Sequence, residues 1–135
     1  MKKLIDKMVN IPYNNYDKRC EIEVFRKSNG ECPVEDFIRS IKDKKLIAKT
    51  LRTIQLLEIN GHELSMPFCR LLEDGIYELR TKQSSNITRV LYFFFRGDVA
   101  VLTNGFVKKS DKTPREEIDR AKRYRSMYLN TKEKE

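Results

Sequence analysis

The chain contains one histidine, His62, and three cysteines, Cys20, Cys32 and Cys69, among its 135 residues. A single imidazole excludes a mechanism that needs two histidines. The cysteines are too far apart, and too few, for a zinc ribbon or a His/Cys cluster. Their odd number and wide spacing also fit no disulfide framework, which points to a reducing, cytoplasmic setting. The carboxylates show no metal-ligand spacing of their own, so neither a metal nor a cofactor is expected. Long apolar runs are missing as well. The longest, Val90 to Phe95, is far short of a membrane span, and at the N-terminus charge returns at Asp6 before any apolar signal region develops. Neither export nor membrane insertion is expected.

Cationic charge is abundant. The formal net charge is +8 and it is unevenly placed: residues 1–75 carry 14 basic against 12 acidic side chains, and residues 76–135 carry 14 against 8. A cationic C-terminal half implies an anionic partner, most commonly nucleic acid. With 39% hydrophobic residues the chain is long enough to bury one core, and one domain over residues 19–130 is expected. Residues 1–18 lack periodicity and read as an N-terminal extension, and residues 131–135 as a frayed tail.

The periodicity changes along the chain. Arg19 to Arg26 alternates in part and stops at Ser28-Asn29-Gly30, which predicts a strand closed by a turn. Pro33 suits the first position of a helix whose apolar side is Val34, Phe37, Ile38 and Ile41. A second helix follows with Ile47, Leu51, Ile54 and Leu57 on one stripe, ended by Gly61. From Ile76 onward three strands are predicted, over 76–82, 88–96 and 98–107, with the middle one apolar on both faces and therefore central. Pro114 opens a last helix with Glu116, Glu117 and Asp119 early and Lys122, Arg123 and Arg125 late, as the helix dipole favours. The expected fold is α+β, a helix hairpin and a C-terminal helix packed on a small antiparallel sheet, in the order β-α-α-β-β-β-α.

If the first two of these three strands form a hairpin, alternation puts Glu78 and Arg80 on one face, with Arg89 close across the turn. Lys108, Lys109 and Lys112 follow the last strand, so a pocket of these cations is feasible in one register of the sheet. Each has an ordinary structural explanation: Arg80 and Arg89 as surface partners of Glu78, the lysines as a solvated loop. Tyr77, Tyr92, Tyr124 and Tyr128 suit packing, and His62 beside Gly61 suits a helix end.

The run Leu71-x-x-Asp74-Gly75-x-Tyr77-Glu78-Leu79-Arg80, the Arg89-Val90-Leu91-Tyr92 strand and the Gly105 to Pro114 run, behind a helix hairpin ending in Gly61, together resemble the HigB-like, phage Gp49-related branch of the RelE superfamily across residues 20–128. That resemblance implies a compact RelE-like RNase fold and a type II toxin that cuts mRNA in the ribosomal decoding site and inhibits translation. It also implies a helix-turn-helix antitoxin as partner. Carried over by position, Arg80, Arg89, Lys108 and Lys109 become the basic catalytic set, whereas Glu78 stands where the RelE pattern has a second lysine. The chemistry of RNA cleavage itself makes Glu78 the candidate base, Arg80 and Arg89 the phosphate clamp and Lys108 or Lys109 the acid, with Lys82, Lys112 and Arg115 as RNA-binding cations. Two other readings share the scaffold: a ParE-like toxin that binds gyrase, and a non-catalytic relic that binds its antitoxin or DNA. Because Arg80 and Arg89 sit near strand ends, truncating either is expected to cost on the order of 1 kcal/mol or less.

Overall fold

The computed structural model of the chain describes residues 18–108 and 110–135. Apart from Lys18, the N-terminal extension inferred from sequence lies outside the described residues, as does Lys109. The elements are β1 (Glu21–Val24), α1 (Pro33–Ser40), α2 (Lys44–Asn60), β2 (Cys69–Glu73), β3 (Ile76–Gln83), β4 (Asn86–Phe95), β5 (Val99–Val107) and α3 (Arg115–Glu133), with a 3-10 turn at Gly61–Glu63. Among the described residues no helix is long and apolar enough to cross a membrane.

The helix hairpin forms where its signals stand. Pro33 occupies the start of α1, and Asp43 caps α2 by accepting from the Lys45 N–H at 2.9 Å. Gly61 ends α2 with φ of 56°, a left-handed conformation that costs glycine little. The buried faces of both helices meet one side of the sheet through Val34, Ile38, Leu51, Ile54 and Leu57, packed against Leu79, Val90, Tyr92 and Leu102. On the other side α3 brings Ala121, Tyr124 and Tyr128 against Phe25, Ile76, Leu91, Phe93 and Val101. Tyr124 stacks on Phe25 with ring centroids 4.7 Å apart, and the Tyr128 hydroxyl donates to Glu23 at 2.7 Å. Tyr128 therefore satisfies its polar tip while its ring remains buried.

The sheet has five strands in the order β1-β5-β4-β3-β2, which makes β4 central and covered on both faces. In two respects it differs from the expected small antiparallel sheet. First, β1 pairs with β5 in parallel, because the chain crosses over α1, α2 and the β2–β4 meander before β5 returns to it. Second, Cys69–Glu73 is a strand that periodicity does not reveal. Its adjacent Leu71 and Leu72 break the alternation, and a register shift lies between Leu71 and Glu73. The β2–β3 connection is the two-residue turn Asp74-Gly75, both with positive φ (50° and 77°), as a hairpin with right-handed strand twist requires. At the C-terminus the last helix continues to Glu133 rather than fraying after Asn130, with the Thr131 hydroxyl bonded to the Met127 carbonyl at 3.1 Å.

One irregularity positions the end of β5. A bulge opposite Leu91–Tyr92 leaves Thr103 as an extra residue, whose hydroxyl donates to the Leu91 carbonyl at 3.1 Å and to Asn104 Oδ1 at 2.7 Å. Asn104 in turn donates to the Glu117 carboxylate at 3.0 Å, tying the bulged strand to the start of α3. A bulge adds twist and re-aims the side chains beyond it, here Phe106 and Lys108.

Candidate active site

The open end of the sheet, beyond the N-terminus of α3, collects the cations. Register pairs Arg70 with Glu78 between β2 and β3, Arg80 with Arg89 between β3 and β4, and Arg89 with Phe106 between β4 and β5. Directly opposite residues point to the same face, so Arg70, Glu78, Arg80 and Arg89 share the side of the sheet that carries α3. Lys108 extends this row: its N–H continues the ladder to the Ile87 carbonyl at 2.7 Å.

Glu78 is the centre of the cluster. It has no exposed surface; its Oε2 accepts from Arg89 Nη1 and from Arg70 Nε at 3.0 Å, and its Oε1 accepts from the Thr113 hydroxyl in the loop before α3. A base must reach the proton it abstracts. Both oxygens of Glu78 are held by donors, which join two guanidinium groups and the loop at Thr113 through one carboxylate.

Arg89 is 1% exposed, which corrects the expectation that it sits at the surface because it lies near a strand end. The Phe106 strand on one side and the Thr113 loop above its Glu78 partner enclose it. Burial pulls its guanidinium below the ordinary value, while Glu78 acts in the opposite direction and Arg80 and Arg70 add to the lowering. Only one arm of this fork is bonded within the protein: Nε and Nη2 are buried with no hydrogen-bond partner. These two atoms form the side-on edge of a guanidinium, the edge that matches two oxygens of a phosphate. Leaving a buried charged donor unsatisfied costs roughly 1–3 kcal/mol or more, a cost that an anion at this edge would remove.

The remaining candidates divide. Arg80 is half-buried beside Arg89, and its Nη1 lies 3.5 Å from the Met66 sulfur. Lys108 holds Asp111 at 3.3 Å with its side chain only 10% exposed. Lys112 is exposed on the loop and, with Arg70 and Thr113, borders a cleft of about 260 Å³. Arg115 is committed elsewhere: it binds Glu73 through both terminal nitrogens at 2.8 and 2.6 Å and Asp119 at 3.0 Å, clamping α3 to the β2–β3 hairpin. Lys82 lies apart from the Glu78 cluster at the exposed end of β3, where its carbonyl accepts from Lys49 Nζ at 3.4 Å. Among the described residues no group of three or more His, Cys, Asp and Glu side chains gathers closely enough to hold a metal ion.

Two residues of the cluster escape sequence reasoning. Arg70 lies in the strand that periodicity hides. Thr113 stands in the Lys108–Pro114 run, but nothing local announces that its hydroxyl reaches a carboxylate on β3.

The family described as phage derived protein Gp49-like (DUF891) matches residues 36–126. The chain belongs to this family. The Gp49-like family lies within the HigB/RelE-type toxin superfamily, and its members are commonly the toxins of toxin–antitoxin pairs. A search of curated proteins gives no match. The Gp49-like region contains α2, β2 to β5 and every cation and carboxylate of the cluster, whereas β1, the parallel edge strand, lies outside it.

Proposed function

We propose that this Gp49-like protein is the toxin of a type II toxin–antitoxin pair and an endoribonuclease that cuts mRNA in the decoding site of the ribosome. The observation that carries this reading is the buried Arg89, whose Nε and Nη2 edge is unpartnered beside Arg80 and Arg70. A fold rarely leaves buried charged donors unsatisfied, and a ligand, an ion or ordered water completes them; an edge flanked by two further arginines favours an anion.

In the proposed reaction the 2′-oxygen of one nucleotide attacks the adjacent phosphorus, the bond to the 5′-oxygen breaks, and a 2′,3′-cyclic phosphate and a 5′-hydroxyl result. The attacking 2′-hydroxyl gives its proton to solvent water, and the leaving 5′-oxygen takes one from a lysine. Arg89 and Arg80 hold the non-bridging oxygens as charge develops on them, and Glu78 acts as a positioning residue that keeps the forks of Arg89 and Arg70 in place. Lys108, with Lys109 next in sequence, supplies the proton to the 5′-oxygen. Lys112 and Lys82 guide the RNA. With three donors already on Glu78, the cluster offers a weak base, so substrate orientation must contribute much of the rate, which suits a reaction that needs the ribosome to align the 2′-oxygen. A helix-turn-helix antitoxin is expected to silence the enzyme by covering the cationic end of the sheet.

The test is induced expression in a bacterial cytoplasm without antitoxin, followed by mapping of mRNA 5′ ends on translated messages and on copies whose start codon is removed. New 5′-hydroxyl ends within translated messages alone are expected. Growth arrest with intact messages, or with inhibited gyrase supercoiling, would overturn the reading.

A further inference from the structure

Beyond the cluster, the outer edge of β3 opens into a groove. The β2–β3 pairing ends at Cys69 opposite Leu79, and the Arg80 N–H then bonds the Phe68 carbonyl at 2.7 Å. From there, among the described residues, β3 has no strand on its outer side. Two adjoining hollows of about 330 and 360 Å³ meet at Phe68, Arg80, Thr81 and Lys82. The first is bounded by α2 through Lys49, Arg52 and Leu56, and the second by Met66, Pro67 and Ile87.

The chemistry of this groove is uniform. Its ionisable lining side chains are Lys49, Arg52, Arg80 and Lys82, all cations. Among the described residues none of the four lies within ion-pair distance of a carboxylate, in contrast to Arg19, Arg70, Arg115, Arg120 and Arg125, which all do. Lys49 and Arg52 are three apart on α2 and so share a helix face; Arg80 and Lys82 are two apart on β3, about 7 Å along one face of the strand. Between these cationic rims the apolar surface is exposed rather than buried: Phe68 is 41% and Met66 57% exposed. Unpaired cations flanking an exposed aromatic ring are the parts of a single-stranded nucleic-acid platform, in which charge follows the backbone and the ring stacks on a base. The groove is also continuous with the cluster, since Arg80 borders both.

We infer that this groove binds the single-stranded RNA flanking the cleaved phosphate, with Phe68 stacking on a base and Lys49, Arg52 and Lys82 following the backbone. The inference rests on the endoribonuclease reading for the identity of the strand. An acidic protein segment would satisfy the cations, but it would not use the continuity through Arg80 to the unpartnered edge of Arg89.

The experiment uses the full chain and a fluorescein-labelled oligouridylate of about ten nucleotides, within the usual site size of such platforms. Anisotropy titrations at several salt concentrations compare the wild type with Lys49→Glu/Arg52→Glu and with Phe68→Ala. All three positions are exposed, and thermal melts verify folding. The double variant is expected to lose at least tenfold in affinity and to lower the slope of log affinity against log salt by about 1.4, two phosphate contacts on a single strand. Phe68→Ala is expected to lose about fivefold or more with the slope unchanged. Wild-type affinity in both folded variants would overturn the groove. So would variants that keep the oligouridylate but lose poly-L-glutamate, which would make it a site for an acidic polypeptide. The two readings separate cleanly: groove-dependent RNA binding with no mRNA cleavage on induction removes the endonuclease and keeps the groove, whereas unchanged binding with normal cleavage does the reverse.

Discussion

Arg80 and Arg89 face each other on neighbouring strands, yet their truncation should have unequal consequences for the fold. Arg89→Ala removes one member of an ion pair whose arginine is 1% exposed and whose glutamate is wholly buried. Glu78 keeps Arg70 and Thr113, but it loses its buried charge partner, and breaking such a pair typically costs about 3–5 kcal/mol. That is a large part of the roughly 5–15 kcal/mol that stabilises an ordinary domain. Arg80→Ala removes a half-buried side chain whose one hydrogen bond among the described residues is to a thioether, and should cost about 1 kcal/mol or less. In cleavage the order is different: Arg80→Ala should slow single-turnover cutting on stalled ribosomes about 100-fold, a loss of roughly 3 kcal/mol of transition-state stabilisation, while remaining folded. To separate fold from chemistry at Arg89, the pair can be replaced together. Arg89→Met with Glu78→Leu exchanges a buried ion pair for apolar groups of similar length, an exchange that is often neutral or stabilising, so it should recover stability and remain inactive. Urea denaturation at neutral pH measures all four chains. An Arg89→Ala variant within 1 kcal/mol of wild type, or a double replacement that restores cutting, would refute the buried-pair reasoning.

Two further predictions test the frame around the site. A methyl group at Gly105 would overlap the Phe37 ring, with Cε2 2.8 Å from the added carbon, so Gly105→Ala must displace a packed aromatic of α1. The expected cost is about 1–3 kcal/mol, seen as a fall in Tm of at least about 3 °C, partly recovered by adding Phe37→Leu; an unchanged Tm would show that the ring moves freely. At the other side, Arg115 and then Lys122 lower the Glu73 carboxyl from 4.5 to about 2. Because the folded value lies below the unfolded one, this clamp contributes fully above pH 4.5 and is lost as pH falls through about 2. The urea midpoint of the wild type should therefore fall further than that of Glu73→Gln over this window, and parallel curves would remove the clamp.

Much of the arrangement is legible in the chain because it depends on local period. Alternation places Glu78 and Arg80 on one face, and the short connection at Ser84-Ser85 brings Arg89 opposite Arg80, since Gln83 pairs with Asn86 and every later pair follows by counting. Asp43, Pro33 and Gly61 mark their helix ends by chemistry that acts within a few residues. The parallel β1–β5 pair has no such mark: it joins Glu21 to Val99, and nothing near either residue reports the other. Arg70 is hidden for a different reason, because Leu71 and Leu72 blur the alternation of a strand only five residues long.

Depth is the property the sequence conceals most completely, and it decides the chemistry of Arg89. A charged residue near a strand end reads as solvated, because most are. Here the bulge at Thr103 turns β5 so that Phe106 stands beside Arg89, and the loop returning from β5 sets Thr113 on Glu78. Both contacts join segments more than ten residues apart, so no window of sequence contains them. The same two contacts give the pair its function in the proposed reaction. With Glu78 held by Thr113, it cannot swing to take the second edge of the Arg89 fork, and that edge stays unpartnered until a phosphate reaches it. Substituting Thr113 by valine should therefore weaken cleavage more than stability: the freed carboxylate can close on Nε and Nη2, replacing a lost hydroxyl bond of about 1 kcal/mol with new bonds to Arg89. A Thr113→Val chain that loses stability yet cuts at the wild-type rate would mean that the open edge is not what holds the scissile phosphate.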